Sequence, residues 1–282
     1  MIDPKFQPFV PNVTFELIPI NQLVSSQKYQ RSLSETHILR AADNFDLRQI
    51  NPVKVSRRDG INYVVNGQHT IEIVALVSNS RETPVWCMVF DELSYETEAH
   101  IFAEQQKYVK SLVPFETFTA HIESGNEKHL AIRDVVKSYG LEVGAKKTPG
   151  CICAVSSLEY IYDKYGMNVL DQTLRMCVGT WEGEDNSFSA NILKAIAKMI
   201  VTYGDQLRED VFKEKVGQLT VKALTRQAKD RGSGSIGFAE VMVLTYNRKC
   251  KYRLSMQKLY GSRKHSSNIA YEEEEMDNEA EE

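Results

Sequence analysis

The residues with the clearest capacity for chemistry lie together in Val65-Asn66-Gly67-Gln68-His69-Thr70, between a β-like run at 61–65 and an amphipathic helical stretch at 70–77. A glycine here lets the chain turn out of a strand and approach a ligand closely. The helix that follows presents unpaired N–H groups and the positive end of its dipole, which suits a phosphate or carboxylate. Gln68 and His69 can instead cap that helix and satisfy buried amides, and Thr70 has a hydroxyl for an anion or a metal. Arg31 is a candidate phosphate ligand or a surface salt-bridge partner. Asp59, Glu72 and Glu104 are carboxylates able to bind Mg²⁺, as a metal-dependent nuclease or a nucleotide-dependent phosphotransferase or NTPase would require. They form no tight acidic cluster in the sequence.

A second chemistry is electrostatic. The formal charge of −4 conceals a strong asymmetry. Residues 213–265 carry 13 Lys and Arg against 3 acids, residues 266–282 carry 8 acids and no Lys or Arg, and residues 1–212 are net −6. A block of +10 is the footprint of a polyanion contact, most often nucleic acid, or a lopsided solvated face. Within it, Arg248, Lys249, Lys251 and Arg253 are the candidate DNA contacts, placed on a helix at about 238–260.

These groups are positioned by two kinds of sequence. Up to about residue 110, short strands at 15–20, 52–56, 61–65 and 84–90 alternate with helices at 34–44, capped by Ser34, and 70–77. Arg57-Arg58-Asp59-Gly60 joins two of the strands as a hairpin. Beyond residue 110 only helical stripes occur, at 114–124, 127–139, 154–165, 168–178, 188–203 and 218–230, with Gly140, Gly166, Gly179 and Gly204 marking ends. Arg231–Gly237 reads as a flexible joint. The expected class is α+β: a small mixed-sheet domain over 1–110, a helical domain over 111–232, a basic C-terminal helix over 233–265 and a disordered acidic tail over 266–282.

Composition sets further bounds. No apolar run approaches the ~18–20 residues that span a bilayer, and the first residues, Met1 to Pro11, lack the features of a secretory signal. Five cysteines without a CxxC pair fit reduced thiols in a cytosol. Cys151 and Cys153 lack the further ligands a metal site needs.

In order and spacing, the first 120 residues resemble the N-terminal domain of the ParB/sulfiredoxin superfamily. The resemblance rests on Ile18-Pro19-Ile20-Asn21-Gln22-Leu23, Tyr29-Gln30-Arg31, Gln49 to Val55, and Tyr63 to Thr70. It extends to Ala103-Glu104-Gln105-Gln106-Lys107 followed by Leu112-Val113-Pro114-Phe115-Glu116. In ParB proteins the stretch matching Gly67 to Thr70 is a Gly-Glu-Arg-Arg box that holds nucleotide phosphates, and in sulfiredoxins it contains the reacting cysteine. Gln68 stands in place of that cysteine, which excludes sulfiredoxin chemistry. His69 and Thr70 stand where ParB has paired arginines. Glu104-Gln105 or Gln105-Gln106 occupies the Glu-Asn positions of a second box, with Glu104 the one residue there able to ligate a metal.

The resemblance implies a bacterial, cytoplasmic DNA-binding protein of a plasmid, phage or other mobile element, serving partition or regulation. A nucleoside triphosphate (CTP in ParB) with Mg²⁺ is the implied cofactor, DNA and a second copy in a homodimer the implied partners, and no membrane is involved. A helix-rich DNA-binding region follows in ParB. Here the helices at 127–139 and 154–165 would form a helix-turn-helix, with Ser156 and Ser157 opening the recognition helix and Lys146 and Lys147 in the long connection. A helix-turn-helix normally has a turn of three or four residues, so an inserted basic loop or a winged variant is needed.

Overall fold

The computed structural model describes residues 12–25, 28–105, 107, 111–184, 186–232 and 234–261. The chain divides into two compact units, Met1–Ser111 and Leu112–Glu282. Gln106 and the acidic tail lie outside the described residues.

The first unit is built on a five-stranded mixed sheet of β1 (Thr14–Pro19), β2 (Leu23–Val24), β3 (Val53–Arg58), β4 (Ile61–Asn66) and β5 (Pro84–Asp91), in the order β1-β5-β3-β4-β2. β1 and β5 are antiparallel, as are β3 and β4, while β3 runs parallel to β5 and β2 to β4. Asp59 and Gly60 make the β3–β4 turn with φ of 52° and 73°. Two positive φ angles define the tight turn whose twist matches paired strands, which is why Asp-Gly signals a hairpin.

Strand alternation divides the sheet into two chemically different faces. Val53, Val55, Val64, Cys87 and Val89 are fully buried on one, packed with Ile18, Ile20 and Ile71. Ile71 and Val74 belong to α2 (Gln68–Ser78), and that helix contacts α1 (Glu35–Asp43). The opposite face carries Lys54, Ser56 and Arg58 and meets α3 (Tyr95–Glu104), a helix the apolar periodicity had not indicated. Its signals are the Ser94 cap, whose side chain accepts from Thr97 N–H, and Glu96 and Glu98 in the first turn.

The second unit is a helical assembly. It comprises α4 (Pro114–Glu123), α5 (Glu127–Ser138), α6 (Val155–Tyr165), α7 (Met167–Trp181), α8 (Ala190–Tyr203), α9 (Glu209–Val216), α10 (Val221–Lys229), α11 (Gly234–Tyr246) and α12 (Met256–Leu259). The fold class is therefore α+β, a mixed sheet with helices followed by a helical unit. α11 is apolar around its circumference, as a helix enclosed by others must be. Phe238, Val241, Met242, Val243 and Tyr246 are all buried. Gly237 is required there because a Cβ would stand 2.8 Å from the carbonyl oxygens of Ala228 and Gly232.

Several expected boundaries change. α7 runs through Gly179 to Trp181, because Cys177 and Trp181 extend its buried stripe. α9 was missed, since Phe212 and Val216 are its only fully buried apolar positions among charged neighbours. The joint at 231–237 is already helical from Gly234. The expected helix over 238–260, part of the basic helix assigned to 233–265, ends at Tyr246. Lys249 takes φ 47°, and the Asn247 amide bonds both the N–H and the C=O of Leu254, at 2.7 and 2.8 Å. That side chain supplies the bonds a continuing helix would have made. No helix among the described residues is long and apolar enough to cross a membrane.

Candidate anion-binding corner and basic surfaces

Gly67 leaves β4 and opens α2 with φ 108° and ψ 15°. A side chain here would be strained, and a Cβ would lie 3.2 Å from both methyl groups of Val53. The close approach that requires glycine is thus to β3 rather than to a ligand. Its lack of a side chain nevertheless leaves α2 without a side-chain cap. Ile71 N–H bonds Gly67 O, and the amides of 68–70, one residue ahead, form the open positive end of the helix.

Of the residues expected at this corner, two are committed elsewhere. Gln68 is buried and its amide donates to Arg31 O at 2.7 Å. His69 Nε2 accepts the Ser34 N–H at 3.2 Å, which places the ring proton on Nδ1. Ser34 also caps α1, its hydroxyl accepting His37 N–H. The His37 and His69 rings meet edge to face, 5.4 Å apart. The N-termini of α1 and α2 are therefore joined through one residue pair. Burial, then His37, then Arg31 hold His69 below the usual imidazole range, so it is neutral. Arg31 is exposed, and among the described residues its guanidinium has no acidic partner. The half-buried Thr70 is likewise uncommitted. Arg31, Thr70 and the amides of 68–70 are what the corner offers an anion.

The segment bearing Arg31 is fixed from both sides. Gln30 Nε2 donates to Val64 O at 2.6 Å, and the Tyr29 hydroxyl donates to Glu98 Oε2 at 3.4 Å. Tyr29 packs against Tyr95 and Phe102. Burial and the Glu98 charge push its hydroxyl well above the ordinary tyrosine range. Glu98 is 0 % exposed, and its Oε1 has no hydrogen bond but lies 3.5 Å from Arg58 Nη1. Arg58 itself lies over the Tyr63 ring at 4.4 Å. This buried carboxylate was not read from the sequence, because no motif marks it; the signal available was an acid on the inward face of a helix next to an arginine-bearing strand.

The second box is only partly placed. Gln105 Oε1 accepts Lys54 Nζ at 3.5 Å, and Lys54 pairs across the sheet with Asn66, the residue before Gly67. Glu104 instead pairs with Lys107 at 3.0 Å. Glu72 is held by Arg81 at 2.9 Å and Asp59 sits in the hairpin turn. Among the described residues no three His, Cys, Asp or Glu side chains converge on a metal position. Backbone amides, a hydroxyl and a guanidinium are donors of the kind a phosphate takes, whereas a single Glu104, paired with Lys107, gives Mg²⁺ no cage.

In the helical unit the connection between α5 and α6 is structured. β6 (Glu142–Val143) and β7 (Cys151–Ile152) pair in parallel and close the loop 144–150, whose Lys146 and Lys147 are exposed. The two helices are thus joined by a clasped basic loop, not by the short turn of a helix-turn-helix. Ser156 is exposed at the start of α6, but Ser157 is 3 % exposed and faces the core. It cannot contact DNA without unpacking the helix. Arg248, Lys249, Lys251 and Arg253 are exposed on the loop between α11 and α12.

No curated protein matches this chain. Among solved structures, a C-terminally truncated chromosome-partitioning protein ParB from Caulobacter crescentus, complexed with CTP-γ-S, is similar at 12% identity and a TM-score of 0.34. The match covers 82% of this chain and 99% of that one. A family profile, described as a family of unknown function, matches residues 24–257. Since those residues make up most of the sequence and include both units, the chain belongs to that family, DUF6551.

Proposed function

We propose that the protein is a ParB-like DNA-binding protein whose sheet unit binds the phosphates of a nucleotide at the corner between α1 and α2. The observation that carries this reading is the corner itself. The start of α2 lacks a side-chain cap, Arg31 has no acidic partner among the described residues, Thr70 is uncommitted, and burial, His37 and Arg31 hold the neighbouring His69 below the usual imidazole range. The order of the sequence boxes supports it, and so does Lys54, which ties Gln105 of the second box to the strand register of the first. The net charge of +10 over residues 213–265, with Lys146, Lys147 and Ser156 in the α5–α6 region, supports duplex DNA as the partner. A mobile-element role in partition or regulation, and a homodimer, follow from the resemblance alone.

Calorimetry with the four common ribonucleoside triphosphates, with and without duplex DNA, tests the reading. Saturable binding of at least one nucleotide, lost in Arg31→Ala, is expected. Absence of binding for all four removes the nucleotide, and duplex affinity that does not fall with salt removes the DNA.

A further inference from the structure

The loop between α11 and α12 combines features found at no other basic position described above. Arg248, Lys249, Lys251 and Arg253 are exposed, and among the described residues none of the four has a carboxylate partner. Several cations elsewhere are neutralised by a carboxylate: Arg57 by Glu16, Arg81 by Glu72, Lys128 by Asp163, Arg175 by Glu209 and Lys215 by Glu214. Four unneutralised charges in six residues repel one another, so the loop must be held by other forces. Asn247 clasps Leu254 through both of that residue's backbone groups, and the Leu254 side chain is buried. The charges are therefore presented on a fixed backbone rather than on a loose tail.

Tyr252 stands among them. It is 47 % exposed, so much of its ring is open to solvent. The Arg208 guanidinium lies 4.5 Å from the ring centroid, held there by its pair with Asp210 at 2.9 Å. A guanidinium held over one face of the ring restrains the aromatic before any ligand arrives. An oriented, exposed ring within a row of unpaired cations is the arrangement that takes an unstacked base and its flanking phosphates. A duplex keeps its bases stacked and offers this ring nothing.

We infer that the 248–253 loop is a binding element for single-stranded nucleic acid. Tyr252 stacks a base, Lys249, Lys251 and Arg253 contact the backbone phosphates, and Arg208 and Asn247 act as positioning residues. The inference goes beyond the duplex reading above; the two share the loop's cations, and the Tyr252 variants tell them apart.

The test is fluorescence anisotropy on the full chain with three labelled probes: an oligothymidylate of about 16 nucleotides, the upper site size of a single-strand-binding fold, an abasic strand of equal length, and a duplex. Base stacking on an aromatic is worth about 1–3 kcal/mol, so Tyr252→Ala should weaken oligothymidylate binding by roughly 5- to 150-fold. Tyr252→Phe should retain it, and the abasic strand and the duplex should be unaffected by either change. Lys249→Ala with Lys251→Ala should weaken both single strands and flatten their salt dependence. Equal affinity of the wild type for the oligothymidylate and the abasic strand overturns the inference. So does a Tyr252→Ala protein that folds normally and binds the oligothymidylate as the wild type does.

Discussion

The Ser34 backbone N–H is bonded to His69 Nε2 at 3.2 Å, so the residue that caps α1 also fixes the first turn of α2. This bond exists only while Nε2 is unprotonated. Burial, His37 and Arg31 all favour that neutral form.

The first prediction concerns this proton. An NMR titration should place the His69 midpoint below about 6.5, with the proton of the neutral ring on Nδ1. Because the folded pKa is depressed, the unfolded chain protonates first as the pH falls. His69 therefore contributes stability that is present above about pH 6.5 and lost on acidification toward its folded pKa. Arg31→Ala should raise the midpoint slightly, since it removes the weakest of the three causes. An unshifted midpoint with an Nε2 proton contradicts the bond.

Gly67→Ala should destabilise the sheet unit by roughly 1–3 kcal/mol, the usual scale for a strained backbone position, with added crowding against Val53. Gly179→Ala is the control, for a Cβ there meets nothing within 4 Å. Urea melts of both variants decide it; equal midpoints would show that the corner relaxes freely.

Glu98 is expected to be structural in energy but positional in effect. Glu98→Ala leaves Arg58 and the Tyr29 hydroxyl without their buried partner and should cost about 3 kcal/mol, at the low end for breaking a buried pair because Arg58 is partly exposed. Glu98→Gln keeps an acceptor for Tyr29 and should cost less. If the segment bearing Arg31 depends on this anchor, nucleotide affinity in Glu98→Gln will fall while the melting temperature stays close to that of the wild type. Loss of both in parallel would limit Glu98 to stability.

Thiol labelling gives an independent test of packing. Burial pushes the Cys87 thiol up to about 11 and that of Cys177 higher still. Both should stay unreactive toward a disulfide reagent at about pH 8 in the folded protein, while Cys151, Cys153 and Cys250, all partly exposed, react first. Early modification of Cys177 would contradict a closed α7–α8 core.

Gly237→Ala should separate α10 from α11, because two carbonyl oxygens lie 2.8 Å from the added carbon. A loss of about 1–3 kcal/mol is expected for such overpacking, measured as a lower melting temperature of the helical unit. An unchanged melt would show that the segment through Gly232 yields.

Local chemistry in the sequence determined the four longer strands, the Asp59-Gly60 hairpin, most helices and the turn at Gly67, but not the two-residue strands β2, β6 and β7. Each rests on periodicity, a cap or a positive φ confined to a few neighbouring residues. The +10 block was equally a property of the sequence, since net charge needs no fold. Tertiary structure alone decided which side chains remain available. Gln68 and His69 became ties to the Arg31–Ser34 segment, Ser157 turned inward, and Glu98 became a buried anchor, because those outcomes depend on partners tens of residues away. The end of the last long helix was likewise decided by packing, though its partner lies only seven residues on. Asn247 stops it by bonding Leu254, whose burial fixes the loop, and no helix propensity within 247–254 encodes that contact.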